Sequence, residues 1–359
     1  MSDILGNKLK LMVFGESHGP LVGITISGLP SGIKIDNEFI SKQLYLRKAN
    51  DELSTTRQED DDYEIVSGVF NNYTTGTPLT ILIKNKKQDS SFYSEKQYRP
   101  GHADYTQELR YNGFQDYRGG GHSSGRLTAP IVALGGIIIP FLKEKGITIG
   151  SRIQEIHGIK DDDITDIHSN LIKFNSEVFP TVSNQVKELM KAEILKAKEN
   201  LDSVGGVIES FILGLEGGIG NPFFDSLESC ISHALFSIPG IKGIEFGLGF
   251  EFKNKYGSEV NDPIRIENNN VITLTNNNGG INGGISNGMP IVIRAVIKPT
   301  PSIKKEQFTI GGSPLSNTNI SIIGHHDPCI VRRARVVIDS LLAFTILDNL
   351  IWGNLWNMA

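Results

Sequence analysis

Residues Arg99–Thr128, RPGHADYTQELRYNGFQDYRGGGHSSGRLT, lead directly into the apolar run APIVALGGIIIPFL at Ala129–Leu142. This run is apolar on every face of a helix, which predicts a buried core helix covered on all sides. It falls short of the roughly 20 residues that a membrane-spanning helix needs. A chain of 359 residues is long enough to bury such a helix.

The three glycines before this helix, Gly119–Gly121, indicate an anion-binding loop. Without a Cβ atom their backbone can adopt positive φ, so that N–H groups crowd around an oxyanion. Ser123 and Ser124 add hydroxyl donors at the helix start, and Arg118 and Arg126 flank the loop. The predicted ligand is therefore a phosphate or a carboxylate. A glycine-rich turn with a serine N-cap explains the same residues without a ligand.

Composition limits the possible partners. A formal net charge of -5 argues against nucleic acid and against a membrane surface. The two cysteines, Cys230 and Cys329, are far apart in sequence and predict neither a disulfide framework nor a zinc site. The N-terminal segment MSDILGNKLKLMVFG does not resemble a secretory signal. We therefore expect a soluble, cytoplasmic protein, and the length allows one large domain or two.

Two further segments carry side chains suited to chemistry. The turn Gly15–Pro20 exposes Glu16, Ser17 and His18 between two predicted strands. His18 is a candidate catalytic group, although a loop histidine is often simply solvated. The polar segment Arg47–Asp62 predicts a surface loop that could act as a lid, with Arg47 and Arg57 closing over an anion.

The order of predicted elements favours an α+β fold. A helix is predicted at Ser183–Asn200 from its Ser cap and apolar spacing, and another at Asn221–Ser237 with Phe224 facing inward. Strands and helices alternate irregularly. No G-x-G-x-x-G follows a strand, so a dinucleotide-binding fold is not indicated.

A second glycine-rich segment, Asn276–Gly288, precedes a strand and then Lys298–Ser302, which indicates another anion-binding loop or a cluster of turns. His325, His326 and Asp327 suggest a metal site at first sight. Adjacent histidines of a strand point to opposite faces, however, and no spacing supplies a third ligand. We therefore predict no metal.

Six motifs together resemble the chorismate synthase family. They are FGESHG (Phe14–Gly19), TTGTP (Thr74–Pro78), RPGHADYT (Arg99–Thr106), RGGGxSSxRxT (Arg118–Thr128), GGxxGGxSNG (Gly279–Gly288) and HDPC (His326–Cys329). The resemblance extends in order over nearly the whole chain. It implies a β-α-β sandwich of one domain, residues 1–359, with a helical layer between two mainly antiparallel sheets, assembled as a homotetramer.

The activity implied by the resemblance is a 1,4-elimination of phosphate from 5-enolpyruvylshikimate 3-phosphate, which yields chorismate. The implied cofactor is reduced FMN, which lends an electron and recovers it, so the reaction has no net redox change. The source of the reduced flavin stays open between NADPH used by the chain itself and an external flavin reductase.

The resemblance also implies residue roles. His18 would be the acid that protonates the leaving phosphate, because imidazole titrates near neutral pH. His102 would maintain the protonation state of the reduced flavin, and Asp327 would lie near flavin N5 and assist proton uptake from the substrate. The implied flavin contacts are His122, Ser123, Ser124, Pro239, Gly240, Gly283, Lys298, Pro299, Thr300, Pro301, Ser302 and His325. The expected substrate-binding residues are Arg47, Arg57, Arg118 and Arg126.

Departures from the family pattern occur at anion-binding positions. Arginine is usual where this chain has Leu53, His122 and His325, and glutamate where it has Leu127. A histidine donates charge-assisted hydrogen bonds only while protonated, so anion affinity is predicted to weaken as pH rises.

Two alternative functions follow from the sequence. A member of this fold that has lost the elimination could still bind flavin or phosphoesters. Read without the resemblance, the histidines and aspartate also suit a phosphoester hydrolase, which would need no flavin.

Overall fold

The computed structural model describes residues 3–48, 52–54, 60–86, 90–91, 93–322 and 327–352. The strands are β1 Ile4–Leu5, β2 Lys10–Gly15, β3 Leu21–Ser27, β4 Tyr63–Ser67, β5 Val69–Phe70, β6 Tyr73–Thr74, β7 Leu79–Lys84, β8 Thr148–Ile156, β9 Ile159–Lys160, β10 Gly206–Leu213, β11 Ile241–Phe246, β12 Ile264–Glu267, β13 Asn270–Thr273, β14 Ile281–Asn282, β15 Ile285–Ser286, β16 Ile291–Ile297, β17 Gln307–Gly311 and β18 Ser316–Ile320. The α-helices are α1 Asn37–Arg47, α2 Asp104–Tyr111, α3 Thr128–Glu144, α4 Ile167–Phe174, α5 Asn184–Glu199, α6 Leu227–Phe236, α7 Gly257–Val260 and α8 Val331–Trp352. Short 3-10 turns occupy Arg118–Ser123, Gly125–Leu127, Phe223–Asp225 and Gly249–Asn254.

Two five-stranded sheets form the framework. The first has the strand order β1-β2-β3-β7-β4 and the second β11-β16-β10-β8-β9. Every pair of neighbouring strands in both sheets is antiparallel. Alternating residues of β7 and β16 are buried, so each strand turns one side-chain face toward the interior.

Helices fill the space between the two sheets. Helix α3 packs against α1 and α8, against β3 and β7 of the first sheet, and against β8 of the second, while α8 also contacts β8 and β10. The predicted α+β fold with a helical layer between antiparallel sheets is confirmed.

Two adjacent glycines allow α3 to pack closely on both sides. A Cβ at Gly135 would overlap Ser340 of α8, and one at Gly136 would lie 2.8 Å from Cα of Ile40 in α1. By length and composition, the segment Gly125–Glu144 could cross a membrane. However, 78% of its most apolar 18-residue stretch is buried inside the protein, as expected for a core helix. The glycines therefore fix α3, and the site at its N-terminus, in the middle layer.

One predicted helix is shorter than expected. The segment Asn221–Ser237 begins with a 3-10 turn at Phe223–Asp225, and the α-helix starts only at Leu227, where Ser226 caps it by accepting a hydrogen bond from Ser229 N. The prediction that Phe224 faces inward is wrong, because this side chain is 94% exposed. The helical spacing of the sequence continues across a 3-10 turn that delays the start of the α-helix.

Candidate active site

The triple-glycine segment forms a turn with three successive positive φ angles in front of α3. Gly119, Gly120 and Gly121 have φ values of 61°, 86° and 51°, which side chains with a Cβ rarely adopt. The carbonyl of Gly121 accepts a hydrogen bond from Ser17 N at 3.1 Å. This bond joins the triple-glycine turn to the Gly15–Pro20 turn, so the two motifs predicted from sequence form one structure.

His18 lies directly behind this turn. Its side chain is almost completely buried, with Nδ1 2.9 Å from Ser90 Oγ and the edge of the ring against Tyr93. A Cβ at Gly119 would lie only 2.5 Å from Nε2 of His18 and 3.1 Å from Ser17 Oγ. The imidazole is therefore a held group rather than a solvated one, and its Nε2 edge faces the glycine backbone.

A cavity of about 300 Å³ opens beside the turn, and its charged residues are mostly basic. Arg47, Lys48, Arg126 and Arg333 contribute positive charges, and Asp61 and Asp327 contribute negative ones. The remaining lining residues are Ser17, Gly119, Ser124, Gly125, Thr128, Ile238, Pro239, Thr300, Ser302, Ile330, Ala334 and Val337. This composition suits a small polyanionic molecule.

A second cavity of about 630 Å³ adjoins the first, and the two share Gly119, Ser124, Gly125, Thr128, Pro239 and Ile330 as lining residues. Its apolar wall includes Leu11, Val13, Ile131 and Leu341, and its polar rim includes His102, His122, Ser123, Lys242 and Lys298. An apolar body with a few polar groups at the edge is typical of a cavity for a large, flat organic ligand.

The anionic end of such a ligand would be favoured at two lysines. Lys298 donates a hydrogen bond to the carbonyl of Gly101 at 2.6 Å. Burial and the nearby positive charge of Lys242 lower the pKa of Lys298. A phosphate group between the two lysines would relieve their repulsion, so this cavity fits FMN by size, wall and charge.

His102 is placed at the same cavity by an ion pair beside it. Its Nε2 lies 2.7 Å from Ser302 Oγ, and its backbone N donates to the carbonyl of Arg99. The Arg99 guanidinium is bidentate to Asp104, with both donor–acceptor distances at 2.7 Å. Burial alone would raise the pKa of Asp104, but the hydrogen bonds and charge of Arg99 outweigh it and hold the pKa below its usual range.

Asp104→Asn is expected to lower the free energy of unfolding at pH 7 by about 2–3 kcal/mol, because both partners are largely buried. A lowered carboxyl pKa contributes stability that is complete above the unfolded value of about 3.9 and is lost as pH falls through the folded value. Urea unfolding of both proteins at pH 7 and pH 3 checks this. If the two proteins differed in their free energy of unfolding by the same amount at pH 3 as at pH 7, the ion-pair explanation would be contradicted.

Asp327 is also fixed by a guanidinium. Arg333 Nη1 lies 2.6 Å from Asp327 Oδ2, and the Cys329 N–H donates to Oδ1 at 3.2 Å. Arg333 Nε donates in addition to the carbonyl of Arg47 at 2.8 Å. Arg335, two residues further along α8, is instead fully buried near Asp339 and lines neither cavity.

The structure brings most of the predicted site residues together around the two cavities. His102, His122, Ser123, Ser124, Pro239, Gly240, Lys298, Pro299 and Pro301 line the larger one, and Arg47, Ser124, Arg126, Pro239, Thr300, Ser302 and Asp327 line the smaller one. Within the described ranges, His18, Arg118 and Gly283 line neither, and His18 lies behind Gly119, which lines both. Arg118 is partly exposed and is bidentate to Asp116 instead. Arg57 and His325 lie outside the described residues.

His122 lines the larger cavity, and a hydrogen bond to the backbone holds its ring in place. Its Nδ1 lies 2.8 Å from the carbonyl of Gly15 and must therefore carry the proton of that hydrogen bond. The Nε2 atom lies 3.8 Å from a carboxylate oxygen of Asp3. The predicted loss of anion affinity with rising pH stays a prediction.

Comparisons with known proteins identify the family. A family model described as chorismate synthase matches residues 9–351. The chain belongs to the chorismate synthase family. Curated chorismate synthases of Korarchaeum cryptofilum and Pyrococcus abyssi are 43% and 42% identical to it, over 97% and 98% of this chain and 97% and 99% of their own. That of Lachnoclostridium phytofermentans is 45% identical over 97% of this chain and 95% of its own.

A solved chorismate synthase structure agrees with these relatives. It superposes with a TM-score of 0.77 at 29% identity, covering 97% of this chain and 93% of that one. The chain is therefore a carbon–oxygen lyase of the chorismate synthase family that acts on a small molecule.

Sequence reasoning missed several residues of the site. The sequence predicts that Asp61 lies in a polar surface loop, yet it is buried between two arginines of the smaller cavity. Gln107 of α2 donates to Ser123 Oγ at 2.7 Å and was not singled out. The acidic run before β4 gave no signal for Asp61, because acidic runs usually lie on the surface.

Proposed function

We propose that the smaller cavity binds 5-enolpyruvylshikimate 3-phosphate and the larger one binds reduced FMN, so that the elimination to chorismate occurs where they meet. The observation that carries this proposal is the shared floor of the two cavities, formed by the triple-glycine turn and the start of α3. A polyanionic substrate in the smaller cavity and a flat cofactor in the larger one would meet at this shared floor.

The chain's own groups support the individual roles. The elimination breaks the carbon–oxygen bond to phosphate and removes a proton from a ring carbon, leaving a diene and inorganic phosphate. His18, held by Ser90 beside Gly119, is the proposed acid that protonates the departing phosphate. Arg47 and Arg126 are the proposed partners of the substrate's anionic groups.

On the flavin side, Asp327 is the proposed group that assists removal of the ring proton. Its carboxylate is held in place by one donor on each oxygen, Arg333 on Oδ2 and the Cys329 N–H on Oδ1. His102 is the proposed partner that keeps the cofactor in its required protonation state, with its ring oriented by Ser302. Reduced FMN, when bound, would supply a transient electron to the substrate and recover it.

An anaerobic assay with the enolpyruvyl substrate tests the proposal. Chorismate should accumulate when FMN is present and reduced, and should be absent with oxidised FMN or without flavin. Flavin binding without turnover would favour a member of the fold that has lost the elimination. Phosphate release without flavin would favour a hydrolase.

We propose a homotetramer in the cytoplasm on the family resemblance alone. The resemblance leaves open whether the chain reduces its own flavin with NADPH or receives it from an external reductase.

A further inference from the structure

We infer that Asp61 is a positioning residue for substrate binding, which holds the guanidinium groups of Arg47 and Arg126 in the orientation that receives the substrate's anionic groups. The inference rests on the proposed function of these two arginines. It concerns a residue that lines the smaller cavity and not the larger one, in the segment between α1 and β4.

The contacts of Asp61 divide evenly between the two arginines. One carboxylate oxygen, Oδ2, accepts from Arg47 Nη1 at 3.2 Å, and the other, Oδ1, accepts from Arg126 Nη1. The Asp61 side chain is only 1% exposed, while those of Arg47 and Arg126 are 8% and 6% exposed. All three line the smaller cavity. A single carboxylate therefore bridges the two cations.

Arg47 is fixed on its remaining edges as well. Its Nε donates to Thr128 Oγ1 at 3.0 Å and its Nη2 to the carbonyl of Gly125 at 2.8 Å. Both acceptors belong to the segment that forms the shared floor of the cavities. Asp61 thus completes a set of contacts that ties this guanidinium to the start of α3.

Arg126 has a matching set of contacts on the first sheet. Its Nε donates to Asn85 Oδ1 at 2.9 Å and its Nη2 to the carbonyl of Lys84 at 3.3 Å. A guanidinium has five N–H donors, and Asp61 accepts from one nitrogen of each arginine. Two buried guanidinium groups side by side repel each other, and the intervening carboxylate makes their proximity stable.

Backbone conformation and side-chain exposure distinguish Asp61 from the two aspartates beside it. It has a positive φ of 51°, a left-handed conformation that aspartate tolerates better than most residues. Its neighbours Asp60 and Asp62 lie outside the cavity, with side chains 60% and 69% exposed near Lys86. Only the middle one of these three consecutive aspartates points into the cavity. An exposed neighbour can therefore serve as the control for removing its charge.

An alternative role predicts the opposite result. A carboxylate in an anion site could compete with the substrate for the same donors, in which case its removal would strengthen substrate binding. A positioning carboxylate keeps the two guanidiniums aligned before binding, so its removal would weaken binding because the alignment must then be restored. The direction of the change in KM separates the two roles.

The experiment compares Asp61→Asn with Asp62→Asn, which removes the same charge one residue away at an exposed position. In the anaerobic assay, Asp61→Asn is expected to raise the KM for the enolpyruvyl substrate by about tenfold or more, with kcat changed by less than about threefold. Asp62→Asn should behave like the parent. Asp61→Glu keeps the charge with a longer arm and should give an intermediate KM, which tests the inference even if Asp61→Asn does not fold.

The background variant Arg126→Gln separates the inference from the proposed function. If Asp61 acts through Arg126, adding Asp61→Asn to Arg126→Gln should raise KM by clearly less than it does in the parent. An unchanged KM in Arg126→Gln would overturn the proposed role of Arg126 itself. A raised KM there, together with a lowered or unchanged KM in Asp61→Asn or, where that variant does not fold, a parent-like KM in Asp61→Glu, would overturn the inference alone.

Discussion

His18→Ala is expected to lower kcat by about 10²- to 10⁴-fold, the usual contribution of a positioned acid–base group. Phosphate departs more readily when it is protonated, and His18 is the proposed proton donor. The ring is buried, is held by Ser90 through Nδ1, and has its Nε2 edge against Gly119. Loss of the ring should therefore remove the proton transfer while the surrounding backbone bonds stay in place. Steady-state turnover with reduced FMN is the measurement.

A matched control uses another histidine that pairs with a carboxylate. His157 lies 2.8 Å from Glu193 on the surface, and its side chain is 62% exposed, so His157→Ala should turn over like the parent. His102→Ala should lose turnover in the same range as His18→Ala, about 10²- to 10⁴-fold, because it too is proposed to control a proton. A His18→Ala rate within about threefold of the parent, at an unchanged melting temperature, would contradict the assignment.

The core helix was predictable because its signal is local. The run Ala129–Leu142 is apolar on every face, and only a middle layer covers a helix on all sides. The observed helix, Thr128–Glu144, extends the run by one residue at its start and two at its end. The order of strands in the sheets was harder to predict from the sequence, because it depends on pairing between strands that are distant in sequence, such as β10 with β16.

The site was predictable where backbone chemistry requires a particular residue. Three consecutive glycines indicate positive φ, and the structure has it at all three. Arg118 and Asp61 show the limit of such reasoning. Both lie in polar segments, yet Arg118 pairs with Asp116 at the surface and Asp61 is buried between two arginines. Which way a charged side chain turns depends on partners brought close by the fold, and spacing along the chain does not specify them.

Gly119→Ala is the second substitution expected to have a large effect. An alanine there must hold φ near 61°, and its Cβ would lie 2.5 Å from Nε2 of His18. Because that atom belongs to a buried ring rather than to the end of a flexible chain, the ring or the turn has to move. A displacement of about 1 Å in a catalytic group can cost about 10²-fold in rate, so kcat should fall by about that factor.

Gly120→Ala separates this steric effect from backbone strain. Gly120 has an equally left-handed φ of 86°, but the nearest atom to its Cβ would be Ser124 Cβ at 3.9 Å, an ordinary contact. Both alanines carry a similar conformational cost of about 1–2 kcal/mol, and the steric overlap adds to it only in Gly119→Ala, so the melting temperature should fall in both variants and further in Gly119→Ala. Only Gly119→Ala should lose turnover strongly. Equal losses of kcat in the two variants would show that the turn's flexibility, rather than the position of His18, limits the reaction.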